Sequence, residues 1–389
     1  MRLLTPYSLL IPSKPVAHPT TFVPIIFTTL PMKNISLEKH TGCLLGGAIG
    51  DALGAPVEFV SLEAIRSTYG ENGIHDFVEF PGKIGEFTDD TQMALFTAEA
   101  LIRAHHRASL KGTGGGLNTI AYHSYLRWLY TQDYKADKIR PDVFKNGWLI
   151  NQKELYKKRA PGNTCLTALS GGTAGTMENP VNNSKGCGTV MRVAPVGLFF
   201  HGDNKSAFKV ACDLSAITHG HPTAWLSAGV LASVIADLAK GLKLEKSINN
   251  AIKILGTCDG REETLKSVLR CLDLYNSTKN NKNPDPRIIE TLGGGWVADE
   301  ALAISLYCSL MYENDFKSGV LSAVNHSGDS DSTGAITGNI LGVINGESAI
   351  PKKWIENLRY NQLVRTVAED LHGSAFNQDE EWLEKYPGN

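Results

Sequence analysis

From Ser36 onward the apolar residues recur every three to four positions, the period of a helix packed on one face. The alternation of a half-buried strand is scarce and short. Ser36 stands where an N-cap belongs, ahead of Leu44, Leu45, Ala48, Ile49 and Leu53. Gly42, Gly46, Gly47 and Gly50 interrupt that stretch. Each glycine weakens a helix by roughly 1 kcal/mol relative to alanine, so the cluster predicts a second backbone packed closely against it. Thr88 predicts the start of another helix running to about Ala104, with Met93, Leu95, Phe96, Ala98, Leu101 and Ile102 as its apolar positions. Further helices are expected near residues 118–132, 147–158, 205–218, 223–240, 245–255, 262–275 and 297–311. A last one follows Asp329 and carries Ala335, Ile336, Gly338, Ile340 and Leu341. The pattern predicts one large all-α domain over 34–389, with functional loops at Gly82–Phe87 and Arg159–Thr189 and no fixed-period repeat.

Residues 1–33 break this pattern. They are punctuated by prolines, carry few charges and include the apolar run Phe22-Val23-Pro24-Ile25-Ile26-Phe27. Prolines inside the apolar region and the lack of a small-residue cleavage site read badly as a signal peptide. An extended or disordered arm is expected, either ahead of a true start at Met32 or able to lie along a partner's groove. The net charge of −2 and the absence of a basic block argue against nucleic acid as the main partner. The seven cysteines form no C-x-x-C pair, so a reducing cytoplasm is expected. No apolar run approaches the ~20 residues that span a bilayer, so no membrane partner is expected.

The chemistry gathers in two acid runs, Thr88-Asp89-Asp90-Thr91 and Asp329-Ser330-Asp331-Ser332-Thr333. Either run alone fits an ordinary capped helix start, where the helix dipole favours carboxylates. Their repetition points further, because two acid clusters brought together need a counter-charge, and oxygen donors suit Mg²⁺, Mn²⁺ or Ca²⁺. A local calcium loop fails: Asp329-x-Asp331-x-Thr333-Gly334 opens like an EF-hand, but its twelfth position, which requires glutamate, is Ile340. His219 and His221 lack the companions of a zinc site. The loop Asn182–Thr189, with Gly186-Cys187-Gly188, can offer backbone amides to a phosphate, and Cys187 as a nucleophile has no identifiable base.

In this order the pieces resemble the ADP-ribosylglycohydrolase family, which includes the dinitrogenase-reductase-activating glycohydrolase. The matching stretches are Gly46–Glu58, Phe87–Thr91, Pro161–Thr164, Gly186–Arg192, Thr218-His219 and Gly328–Gly334, spread over about residues 36–350. The resemblance implies a compact orthogonal multi-helix bundle with a binuclear Mg²⁺ or Mn²⁺ centre. Carried over by position, Thr88, Asp89, Asp90, Asp329, Asp331 and Ser332 are the metal ligands, with Asp331 bridging both ions. Glu58 falls near the scissile bond on a mobile segment, and Asp89, Asp90 or Glu58 is expected to take a proton. Gly162, Thr164, Ser184, Gly186 and Gly188 fall in loops that hold ADP-ribose, and His219 near the distal ribose. Where some family members have Gly-Asn-Gly, this chain has Gly186-Cys187-Gly188.

The activity implied is metal-dependent hydrolysis of an N-glycosidic bond, through an oxocarbenium-like state, releasing ADP-ribose from a modified protein. Arginine is the favoured acceptor, because Gly294-Gly295-Trp296-Val297-Ala298 looks like the arginine-directed branch. Trp296 is either a stacking partner for a guanidinium or a core residue. Two alternatives stand beside this reading. One is a di-metal nucleotide phosphoesterase. The other is an immunity-type protein that neutralises an ADP-ribosylating toxin, by hydrolysis or by binding it through residues 1–33.

Overall fold

The computed structural model describes residues 36–79, 82–112, 115–133, 146–281, 286–374, 376–377 and 379–388. The expected N-terminal arm and Met32 lie outside them. Among the described residues there are helices and no strand, only two isolated bridges, Glu79 with Ile84 and Gly186 with Val297. The helices are α1 (Leu37–Gly54), α2 (Leu62–Tyr69), α3 (Asp89–Lys111), α4 (Leu117–Thr131), α5 (Asn163–Ser170), α6 (Ala194–Phe199), α7 (Asn204–Ala216) and α8 (Pro222–Ala239). There follow α9 (Leu244–Leu255), α10 (Glu262–Thr278), α11 (Arg287–Glu290), α12 (Ala298–Met311), α13 (Phe316–Val324), α14 (Ser330–Asn345), α15 (Lys352–Asn357), α16 (Asn361–Gly373) and α17 (Glu380–Lys385). Helix α8 is apolar and long enough to cross a membrane, but it is buried among its neighbours as a core helix.

Three expectations change. Residues 147–158 form two short 3-10 turns, Leu149–Asn151 and Lys153–Leu155, instead of a helix. The Asn151 and Gln152 side-chain amides donate to the Gly147 and Trp148 carbonyls at 2.8 and 3.0 Å, competing with the bonds a helix needs. The loop expected over Arg159–Thr189 contains α5 and runs into a 3-10 helix, Cys187–Arg192. Ser36 precedes α1, but its hydroxyl makes no capping bond, and the Lys39 amide donates to the Ser36 carbonyl instead.

The glycines of α1 are explained by α14, which packs against it antiparallel. A Cβ on Gly42, Gly46, Gly50 or Gly54 would run into the backbone carbonyl of Gly342, Gly338, Gly334 or Ser330, respectively. The reciprocal clashes arise for Gly334, Gly338 and Gly342. The absent side chains let two backbones touch, and a four-residue step keeps Gly42, Gly46, Gly50 and Gly54 on the shared face, while Gly47 meets the Asn339 side chain. This seam sets the function's geometry. It lays the C-terminal end of α1, which leads into Glu58, beside the N-terminal end of α14, which starts at Asp329 and Ser330.

Candidate functional site

Three chain segments converge at the end of the seam. Thr88 caps α3, its hydroxyl accepting from the Asp90 amide at 3.4 Å, so Asp89 and Asp90 occupy the first turn. Asp329 caps α14, its carboxylate accepting from the Ser332 amide at 3.3 Å, so Asp331 and Ser332 occupy that helix's first turn. Glu58 follows the short turn Ala55–Val57. Carboxylate oxygens of Glu58, Asp329 and Asp331 lie within 4.8 Å of one another. Asp329 and Ser332 act on the Asp90 carboxyl, so the two acid runs meet, and Glu58 joins the second of them at ligand spacing.

Asp51 is the residue that sequence reasoning passed over. It sits on α1, fully buried, and its carboxylate accepts from the Thr88 amide at 2.8 Å, the Thr91 amide at 3.1 Å and the Thr91 hydroxyl at 2.5 Å. It thereby satisfies the free amides at the start of α3 from another helix and fixes Asp89 and Asp90 in place. A signal was present in the sequence: one acid inside an otherwise apolar, glycine-rich helix, where a charge needs a partner.

The second wall is built from loops. The Gly162 amide donates to Asp89 Oδ2 at 3.2 Å, and the Thr164 and Ser184 hydroxyls are 3.1 Å apart, joining the start of α5 to the glycine loop. The Gly186 amide donates to Ser184 Oγ at 3.3 Å. A Cβ on Gly186 would stand 3.4 Å from His219 Nε2, and one on Gly188 3.3 Å from the same ring and from Cys165 Sγ. His219 therefore lies directly under the loop. Its Nδ1 is 2.9 Å from the Thr218 hydroxyl, and burial, aided by Arg192, holds the imidazole neutral with its pKa down at about 3. Arg192 is fully buried; it donates to Thr218 Oγ1 at 2.8 Å and lies over the Tyr125 ring, which props the His219 segment from below. Next to Glu58 in sequence, Phe59 is 75% exposed and stacks on Trp296, itself 40% exposed, with ring centroids 4.7 Å apart. Trp296 is not a core residue.

The electrostatics call for a cation. Burial pushes Asp90 and Asp331 well above the usual carboxylate range, and neighbouring acids push further: Asp51, Asp89 and Asp329 on Asp90, and Asp90, Asp329 and Glu58 on Asp331. Asp89 is also raised by burial, against the Gly162 amide bond that favours its charged form. Glu58 is raised to about 8, by burial first and then by Asp329 and Asp51. Asp90 Oδ2 is buried with no hydrogen-bond partner. Oxygen donors, crowded like charges and an orphaned carboxylate oxygen together fit a hard divalent cation. Cys187 Sγ donates to Asp329 Oδ2 at 2.7 Å, and burial and that carboxylate keep the thiol protonated, which argues against a resting nucleophile.

A stability prediction follows with its sign. Asp51 and Glu58 rise from ordinary values of 3.8 and 4.5 to about 6 and about 8. Between each pair of values the folded protein keeps a proton that the unfolded chain has lost, so folding stability falls as pH rises. Below pH about 6.5 the buried neutral histidines, His219 among them, work in the opposite sense, so without divalent cation the Tm is expected to decline from pH about 6.5 to about 8, and saturating Mn²⁺ to raise and flatten that curve. A cation-free Tm that climbs steadily over the same range would contradict this.

Comparison with known proteins adds the following. A family model described as ADP-ribosylglycohydrolase matches residues 32–381. ADP-ribosylarginine hydrolase Tri1 of Serratia proteamaculans is 27% identical over 348 residues, covering 88% of this chain and 81% of that protein. ADP-ribosyl-[dinitrogen reductase] glycohydrolase of Rhodospirillum rubrum is 27% identical over 328 residues, covering 82% of this chain and 90% of that protein. A solved structure described as an ADP-ribosylglycohydrolase-related protein complex matches with a TM-score of 0.59 at 22% identity, covering 87% of this chain and 99% of that one, a likeness of fold.

Proposed function

This chain belongs to the ADP-ribosylglycohydrolase family, and we propose that it is a cation-dependent hydrolase that releases ADP-ribose from arginine side chains of modified proteins. One observation carries the reading: Glu58, Asp329 and Asp331 oxygens converge within 4.8 Å at the start of α14, where Asp329 also acts on Asp90 of α3. The arginine preference is supported by the name of the Serratia relative and by the exposed Phe59–Trp296 pair beside Glu58, since aromatic faces attract a guanidinium.

Thr88, Asp89, Asp90, Asp329, Asp331 and Ser332 are the residues that would hold two Mg²⁺ or Mn²⁺ ions. Such ions, when bound, orient ribose hydroxyls and water and stabilise developing charge. The remaining work belongs to the chain's own groups. Gly162, Thr164, Ser184, Gly186 and Gly188 offer amides and hydroxyls to the diphosphate and riboses, and the neutral His219 ring stands beneath them. The bond from ribose C1 to the guanidine nitrogen breaks, water oxygen bonds to C1, and a proton passes to the departing nitrogen. Glu58, the least buried of the three converging acids, is placed to carry it. The seven cysteines are all free thiols, which suits a reducing cytoplasm as the place of action.

The test is incubation with an arginine-ADP-ribosylated protein, with and without EDTA, and identification of the product by mass spectrometry. Free ADP-ribose, lost with EDTA and restored by Mg²⁺ or Mn²⁺, is the expected result. Release of AMP or phosphate would replace this reading with phosphoesterase chemistry, and undiminished release in EDTA would remove the cation.

A further inference from the structure

We propose that Cys187 is a sulfur ligand of the cation centre, so that this chain binds thiophilic ions such as Zn²⁺ or Cd²⁺ at the site assigned above to Mg²⁺ or Mn²⁺. This inference rests on the reading of the acid cluster as a cation site. Cys187 Sγ lies 2.7 Å from Asp329 Oδ2 and 3.7 Å from the Ser332 hydroxyl, so it touches two residues of that cluster at once. A separate observation points to the missing ion: Asp90 Oδ2, buried and without a hydrogen-bond partner, faces the same helix start, where Asp329 and Ser332 act on its carboxyl.

The thiol is also held in place. The Cys187 amide donates to the Trp296 carbonyl at 3.2 Å, and Cys187 opens the 3-10 helix that continues to Arg192. The next residue, Gly188, packs closely on its neighbours, with Cys165 and His219 at 3.3 Å from where its Cβ would be. The thiol against the carboxylate brings a sulfur donor and an oxygen donor together, and the two side chains would have to part slightly to share a cation. Coordination breaks the S–H bond and forms a sulfur–metal bond, and the proton passes to buffer. Carboxylate and hydroxyl oxygens favour Mg²⁺ and Mn²⁺, whereas a thiolate tilts the preference toward Zn²⁺ and its heavier analogue. Serine or asparagine at this position keeps the donor set all oxygen and nitrogen.

The experiment titrates the full chain with CdCl₂ and follows the sulfur-to-cadmium charge-transfer band in the ultraviolet. A parallel titration with MnCl₂ is followed by electron paramagnetic resonance. The native protein is expected to develop the band as Cd²⁺ binds. Cys187→Ser should lose the band and bind Cd²⁺ about 10- to 100-fold more weakly, while its Mn²⁺ affinity changes by a smaller factor. Retained Mn²⁺ binding also reports that the variant is folded, and Cys187→Asn serves as a second variant. Cd²⁺ bound without the band, or a band of full intensity in both variants, overturns sulfur ligation and leaves the hydrolase reading intact. Failure of the native chain to bind Mn²⁺ overturns the cation centre itself, and this inference with it.

Discussion

Asp331→Asn is expected to lower kcat/KM for release of ADP-ribose by about 10²- to 10³-fold, the loss seen when one electrostatic group of a catalytic site is removed. The same change is expected to leave the cation-free protein as stable as before, or more so. Both expectations come from one geometry. Asp331 is buried among Asp90, Asp329 and Glu58, so its charge is a liability to folding until a cation arrives. Its Oδ1 accepts from the Ser332 amide at 2.9 Å, a bond that an asparagine oxygen can keep, so α14 should start normally. The measurements are kcat/KM on an arginine-modified protein, Mn²⁺ affinity, and Tm in EDTA. A variant that loses activity together with stability would make Asp331 a folding residue. One that keeps native kcat/KM would remove it from the site.

Gly338→Ala is expected to destabilise the protein by about 2–3 kcal/mol. The new Cβ meets the Gly46 backbone carbonyl, which cannot step aside unless α1 and α14 part. Parting them shifts Glu58 against Asp329, so Mn²⁺ binding should weaken as well, although the substitution touches no acidic residue. Gly47→Ala is the comparison. Its Cβ meets the Asn339 side chain, which can move at the loss of its bond to the Cys43 carbonyl. A smaller loss is expected there. Denaturant midpoints of both variants check the ordering, and equal stabilities would show that the seam tolerates expansion.

Most of the long helices were legible from their apolar period, although α16, as long as α7, was not among those expected. The strongly periodic segments at α1, α3, α7, α8, α9, α10, α12 and α14 fall where the apolar spacing puts them, α7, α8, α9 and α12 within two residues at both ends, while α3 runs on to Lys111, well past the expected end near Ala104. Short elements were not legible. α5 and the 3-10 helix Cys187–Arg192 lie in a stretch of glycines and small polar residues, where local preference favours a loop. They form because Ser184 and Thr164, the Cys187 amide and Trp296, and Gly188 and His219 hold them from outside. The opposite failure occurred at 147–158, where a plausible helix yields to the Asn151 and Gln152 side chains bonding back to the main chain.

The sequence by itself determined the all-α class, the family, the two capped acid runs and the close backbone approach at the α1 glycines. Each of these is written locally, in period, cap chemistry or the absence of a Cβ. Only the tertiary structure decided which backbone fills that approach, that Glu58 stands at ligand spacing from Asp329 and Asp331, and that Asp51 holds the start of α3. It also decided between the two readings of Trp296, as an exposed stack on Phe59 and not a core residue, and placed the Cys187 thiol on Asp329. The physical reason is sequence separation. Asp51 and Thr88 are 37 residues apart, and Cys187 and Asp329 are 142 apart. No local preference encodes such contacts, and they exist only once the glycine seam has brought the two helix ends together.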